Sequence, residues 1–241
     1  MAKLDYTFTH DTLFKLLFVR HQDLLKHLVA AVLGISVDAL TGFRVTNQGI
    51  PPASMGDKFC RLDIAMEVGG DKVSLEVQVA DDGDYPERSL YYWARGYSSA
   101  LSAGGSYGDL PKVIVISILG FALFDAAHYH SKFQLLETGR HERLTDRLAM
   151  HYFEVGKLPE DINTENELEP LLALFKARTE EDIEQLTALE VPIVTQAVKA
   201  YREVTVSPEF RELERLRELA RYNEASALRN AERTGEQKAN E

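Results

Sequence analysis

The sequence predicts a mixed α/β fold, on three observations. Residues 61–79 hold two runs of alternating apolar and polar side chains, with Leu62, Ile64, Met66 and Val68 in one and Val73, Leu75, Val77 and Val79 in the other. That alternation belongs to half-buried strands. Residues 112–119, Lys-Val-Ile-Val-Ile-Ser-Ile-Leu, form a β-branched run without alternation, as expected for a central strand covered on both faces. Around these strands, apolar residues recur at helical spacing from Leu13 to Leu33 and again from Leu168 onward.

The hairpin comes first because the rest is arranged around it. Gly69-Gly70 lies between its two strands and can take the positive φ angles of a tight turn. A two-residue loop sets Asp63 opposite Glu76, whereas a four-residue loop over 69–72 sets Asp63 opposite Gln78. Both registers place Asp63, Glu76 and Gln78 on the face away from the apolar residues. Carboxylates facing each other across a strand pair repel. A hard cation between them turns that repulsion into a site, since Mg²⁺ is held by one or two carboxylates together with water and phosphate oxygens. The solvated polar face of an ordinary hairpin accounts for the same spacing.

In chain order, Thr9 is the expected cap of a helix whose first turn holds Asp11 and whose apolar stripe ends at Gly34. Asp11 and Lys15 stand four apart on one face, which suits a surface ion pair as well as a place in a site. Gly49-Ile50-Pro51-Pro52 reads as an irregular connection. Asp84 and Pro86 open a helix running to about Ala103. On it Arg88, Tyr92, Arg95 and Ser99 share one face, while Leu90, Trp93, Ala94, Tyr97 and Leu101 make the face expected to pack on the sheet. Arg88 and Arg95 are the candidates for a phosphate contact. Gly104 to Gly108 matches a nucleophile elbow in letters only, because that motif needs a strand before it and a helix after it. Phe133–Glu137 and Arg147–Val155 read as strands. His128 and His130 fall on one side without a third ligand, so a turn or surface role is expected for them. Val191-Pro192 marks a boundary between helices. From Pro208 the chain is rich in Glu and Arg with Leu213, Leu216 and Leu219, an exposed or self-associating helix that frays after Thr234-Gly235.

These residues carry a resemblance. Asp63, a twelve-residue gap and then Glu76-Val77-Gln78 resembles the D…(D/E)xK core of the restriction-endonuclease-like superfamily in an ExQ form. The match is nearest to the PD-(D/E)xK family of nuclease transposases and recombination-promoting nucleases. His10-Asp11-x-x-Phe14-Lys15, Arg88 to Tyr92, Ile116 to Phe121 and Met150 to Val155 resemble further parts of it, from about residue 9 to 230. The resemblance implies a restriction-endonuclease-like mixed sheet flanked by helices, and a Mg²⁺-dependent DNA endonuclease, with Mn²⁺ as an alternative ion, acting in recombination or with mobile elements. It implies metal ligation by Asp63, Glu76 and the carbonyl of Val77. Gln78 would orient water or phosphate, Asp11 and Lys15 would border the cleft, and Arg88, Tyr92 and Arg95 would meet DNA. The rival reading is a degenerate nuclease fold that binds DNA or protein, since Gln78 lacks a lysine's charge.

Composition narrows this further. The net charge is −11, which excludes a generic DNA-coating protein. Residues 160–190 carry ten acidic and two basic side chains, −8 of that total. The single cysteine, Cys60, excludes a disulfide within the chain and a cysteine-cluster zinc site. No apolar run approaches the roughly 20 residues of a membrane span, and the first residues have no apolar signal region, so a cytoplasmic protein with no membrane partner is expected. The expected division is a nuclease-like core over 1–160, an acidic helical extension over 161–206 packed on it, and a charged helix and tail over 207–241, the latter able to form a homo-oligomer.

Overall fold

The computed structural model describes residues 2–46, 63–101 and 103–239. The Gly49–Pro52 connection, Cys60 and the first two residues of the hairpin fall outside these. Two strands, β2 (Ile64–Val68) and β3 (Asp71–Gln78), form the antiparallel hairpin, with Gly69 and Gly70 at positive φ of 59° and 91° as the turn demands. Strand β3 then runs parallel to β4 (Val113–Leu119), and β4 parallel to β6 (Leu148–Glu154). A short strand β1 (Arg44–Val45) and β5 (His130–Phe133) complete a six-stranded sheet in the order β1-β2-β3-β4-β6-β5. Every residue of β4 and of β6 is buried, as the unalternating run at 113–119 implied for β4.

The larger apolar layer lies on the face of Ile64, Met66, Val73, Leu75 and Ile116. Helices α1 (Asp11–Arg20), α2 (Gln22–Leu33), α4 (Leu168–Lys176), α5 (Glu180–Ala188) and α6 (Pro192–Thr205) contribute to this cluster, together with the buried Phe210. Phe210 belongs to α7 (Pro208–Ala239), so the first turns of the terminal helix are part of the core. Its ring packs edge-on against Tyr6 at 4.7 Å. Further along, Leu216, Leu219 and Tyr222 are exposed. The helix continues through Thr234-Gly235 to Ala239, where fraying was expected.

Several boundaries differ from the sequence reading. The helix α1 begins after His10, with no side-chain cap, because Thr9 Oγ1 hydrogen-bonds Thr7 Oγ1 instead. The chain breaks at His21 (φ −106°, ψ 67°) to make two helices. Leu17 and Leu24 are seven residues apart, which keeps the helical phase across the break and hid it. Gly34 ends α2 in the left-handed conformation (φ 68°), as expected. Strand β5 covers His130–Phe133 rather than 133–137. Beyond Phe133 the chain leaves the sheet for a surface turn bridged at Leu136 and Arg143.

Helix α3 (Tyr85–Ser98) covers the other face of the sheet. It ends before Ala103, and Leu90 and Ala94 point to solvent rather than to the sheet. The reason is chemical. The strands below α3 present Ser117 and Tyr152 among Val115, Leu119 and Met150. The helix answers with Tyr85 and Ser89: Tyr85 Oη donates to Ser117 Oγ at 2.8 Å, and Ser89 Oγ bonds Tyr152 Oη at 2.6 Å. Buried hydroxyls need partners, so they outrank the leucine in choosing the packed face. Among the described residues no helix is long and apolar enough to cross a membrane.

Candidate functional site

The hairpin turn fixes which acids meet. Val68 pairs with Asp71 and Ile64 with Leu75, so Asp63, one step beyond, faces Glu76. The backbone seals the juxtaposition: Asp63 N–H donates to Glu76 Oε1 at 3.1 Å, and Val77 N–H donates to Asp63 Oδ2 at 2.9 Å. Glu76 is buried, with 6% of its surface exposed, and Asp63 is half-buried. Burial first, and then the charge of Asp63, push the Glu76 carboxyl well above the usual carboxylate range. Burial also raises Asp63, against the opposing pull of Lys15 and of the Val77 amide.

Lys15 supplies the neighbouring positive charge. Its ammonium lies 3.1 Å from Asp63 Oδ1 and 2.6 Å from Asp11 Oδ1, so the i,i+4 pair on α1 reaches across to the hairpin. Burial would lower the lysine, but the two carboxylates hold it above its ordinary value. Asp11 is lowered despite its burial, by Lys15 and then by Arg217. Arg217 comes from α7 and places Nη1 2.8 Å from Asp11 Oδ2.

Gln78 lies on the same strand face, about 7 Å beyond Glu76, but its amide turns the other way. Nε2 donates to the Ala80 carbonyl at 3.0 Å and to Asp82 Oδ2 at 3.2 Å. The same Asp82 oxygen lies 3.4 Å from Arg88 Nη1. Arg88 rests over the Tyr85 ring, 5.0 Å from its centroid, and its charge acts on Glu76. Its Nε and Nη2 are buried with no hydrogen-bond partner among the described residues. Unpaired buried donors of this kind are uncommon, and an anion would satisfy them.

The remaining sequence candidates lie elsewhere. Tyr92 and Arg95 line a cavity of about 380 Å³ with Ala65, Ser74, Lys72, Gly96 and Ser99, toward the turn end of the hairpin. They are one and two helical turns along α3 from Arg88, so the shared face is real but does not converge on the carboxylates. His130 is paired with buried His151 at 3.1 Å, remote in the sheet from Asp63, while His128 is exposed. Sequence reasoning missed Asp82 and Arg217. An Asp in a turn carries no signal of its own. Arg217 is 205 residues from its other partner, Thr12, and only the fold brings them together.

A mixed sheet with three parallel strands at its centre, a crossover helix and two carboxylates on the β-hairpin defines a restriction-endonuclease-like α/β protein. The profile of the PD-(D/E)XK nuclease family transposases matches residues 8–231, and the chain belongs to that family. No curated protein and no solved structure matches it.

Proposed function

We propose that this chain is a Mg²⁺-dependent DNA endonuclease, acting from the cytoplasm in recombination or with mobile elements. The observation that carries the reading is the facing pair Asp63 and Glu76, both driven toward protonation, with an ammonium already drawn to them. Such a pair gains from a cation. The donors suit a hard ion, because both side chains are carboxylates, whose oxygens favour Mg²⁺ or Mn²⁺. Asp63 and Glu76 are the protein carboxylates that would hold Mg²⁺, or Mn²⁺, with the Val77 carbonyl as a further oxygen. When bound there, the ion supplies Lewis-acid polarisation of a phosphate and a lowered water pKa.

The other residues divide the remaining work. Lys15, held by Asp11, places beside Asp63 the fixed positive charge that Gln78 cannot supply. Arg88, whose Nε and Nη2 have no hydrogen-bond partner among the described residues, is the side chain that would meet a phosphate. Gln78 acts on that contact through Asp82, which it shares with Arg88. Tyr92 and Arg95 meet DNA further along α3. Exposed Leu216, Leu219 and Tyr222 on α7 support self-association of the chain.

One observation favours the alternative, a binding module without catalysis. Both Asp63 oxygens and Glu76 Oε1 already have protein partners. Calorimetric titration of Mg²⁺ decides between them: binding by wild type that Asp63→Ala abolishes supports the enzyme, and no heat from wild type supports the module.

A further inference from the structure

The fold ties its terminal helix to this site through one side chain. Arg217 and Lys15 hold opposite oxygens of the same carboxylate: Arg217 Nη1 is 2.8 Å from Asp11 Oδ2, and Lys15 Nζ is 2.6 Å from Asp11 Oδ1. Arg217 Nη1 also donates to Thr12 Oγ1 at 2.9 Å, which seats the guanidinium on the first turn of α1. Around it α7 is anchored by an Arg20–Glu209 ion pair, by buried Phe210 and by a contact of 3.1 Å between His10 Nε2 and Glu214 Oε2. Residues 210, 214 and 217 share one helical face, so the anchored stripe ends at the site.

We infer that Arg217 is a positioning residue: by neutralising Asp11 it keeps the Lys15 ammonium shared with Asp63. Lys15 sits between two competing carboxylates. Asp11 is its i,i+4 neighbour and is always within reach; Asp63 belongs to another element. A guanidinium on the far oxygen of Asp11 drains that carboxylate's attraction for Lys15. Without it, three acids (Asp11, Asp63 and Glu76) compete for one ammonium, and the local partner has the advantage. The site then loses positive charge where the candidate chemistry needs it. Through Arg217, α7 becomes part of the site, although its sequence reads as an exposed or self-associating helix. The consequence for cleavage rests on the nuclease reading above; the placement of Lys15 does not.

The test uses the full chain as wild type, Arg217→Ala, Arg217→Lys, Asp11→Asn and the double variant Asp11→Asn/Arg217→Ala. Crystal structures of wild type and Arg217→Ala read the Lys15–Asp63 contact directly. Turnover and KM for DNA cleavage with Mg²⁺ read its effect. In Arg217→Ala, Lys15 should swing onto Asp11 and out of hydrogen-bond distance of Asp63. Turnover should fall about tenfold to a hundredfold, the range expected when a catalytic group is misplaced by about 1 Å, with KM little changed. Arg217→Lys should restore most of it. In the Asp11→Asn background, Arg217→Ala should have no further effect, because there is no carboxylate left to neutralise. The inference is overturned if Lys15 stays on Asp63 in Arg217→Ala. It is also overturned if Arg217→Ala lowers turnover equally in both backgrounds, which would indicate a direct DNA contact or a structural staple. A wild type that cuts no DNA would count against the nuclease reading, and the Lys15 position would still decide this one.

Discussion

Replacing Lys15 by Met keeps most of the side chain's apolar stem and removes the charge between Asp11 and Asp63. Lys15 and Asp63 are 17% and 16% exposed, so the pair is largely desolvated. Removing one partner of a fully buried pair costs roughly 3–5 kcal/mol. With residual exposure and with protonation as an escape, about 2–3 kcal/mol is expected at pH 8. For a chain of this size that corresponds to a fall in Tm of roughly 4–12 °C. The pH dependence gives the sign. Asp63 already has a folded pKa raised above its unfolded value, mainly by burial, and Lys15 is the largest effect opposing it. Losing Lys15 raises it further. A raised carboxylate costs nothing below its unfolded pKa and its full penalty above its folded one. The difference between wild type and Lys15→Met should therefore be small near pH 4 and widen toward pH 8. Lys15 itself stays charged throughout this window, since its own pKa is raised. Thermal unfolding at pH 4, 6 and 8, with no metal present, measures this. A constant difference across that range, or none at pH 8, would refute the electrostatic role assigned to Lys15.

Three more outcomes follow from the same physics. Glu76→Gln should raise the metal-free Tm at pH 7, because it removes a carboxyl whose ionisation burial and Asp63 disfavour, and should abolish any Tm increase with millimolar Mg²⁺. Phe210→Ala should cost about 3–5 kcal/mol, as for other buried aromatics; a loss below 1 kcal/mol in chemical denaturation would mean that α7 does not belong to the core. His151 is buried and its pKa is pushed down to about 4, by burial first and then by His130. The unfolded chain binds its proton at higher pH, so stability should fall as pH drops from about 6.5 through 4. His151→Gln should flatten that part of the profile in urea titrations, and an unchanged slope would place the acid sensitivity elsewhere.

The legible parts of this protein were those encoded locally. Alternation around Gly69-Gly70 gave the hairpin and put Asp63, Glu76 and Gln78 on one face, and the unbroken run at 113–119 gave the buried central strand, because both patterns act within one element. The registers left open were resolved by the turn, where Val68 pairs with Asp71. The packed face of α3 was not legible. It depends on Ser117 and Tyr152, which reach α3 only through the sheet, and their hydroxyls select Tyr85 and Ser89 over Leu90. Lys15 could be named but not placed, since its distance to Asp63 depends on how α1 docks. Arg217 and Asp82 had no sequence signal at all; their partners are set by tertiary packing and by one turn. Gln78 was read on the carboxylate face, orienting water or phosphate; its amide instead donates to the Ala80 carbonyl and Asp82.

The most direct test of the central claim is a plasmid nicking assay with Mg²⁺ or Mn²⁺, run with wild type and with Asp63→Ala. Wild type should convert supercoiled DNA in a metal-dependent way, and the variant should not. Equal nicking by both proteins would place the activity outside the Asp63–Glu76 pair. The absence of nicking by wild type with either ion would contradict the endonuclease reading itself.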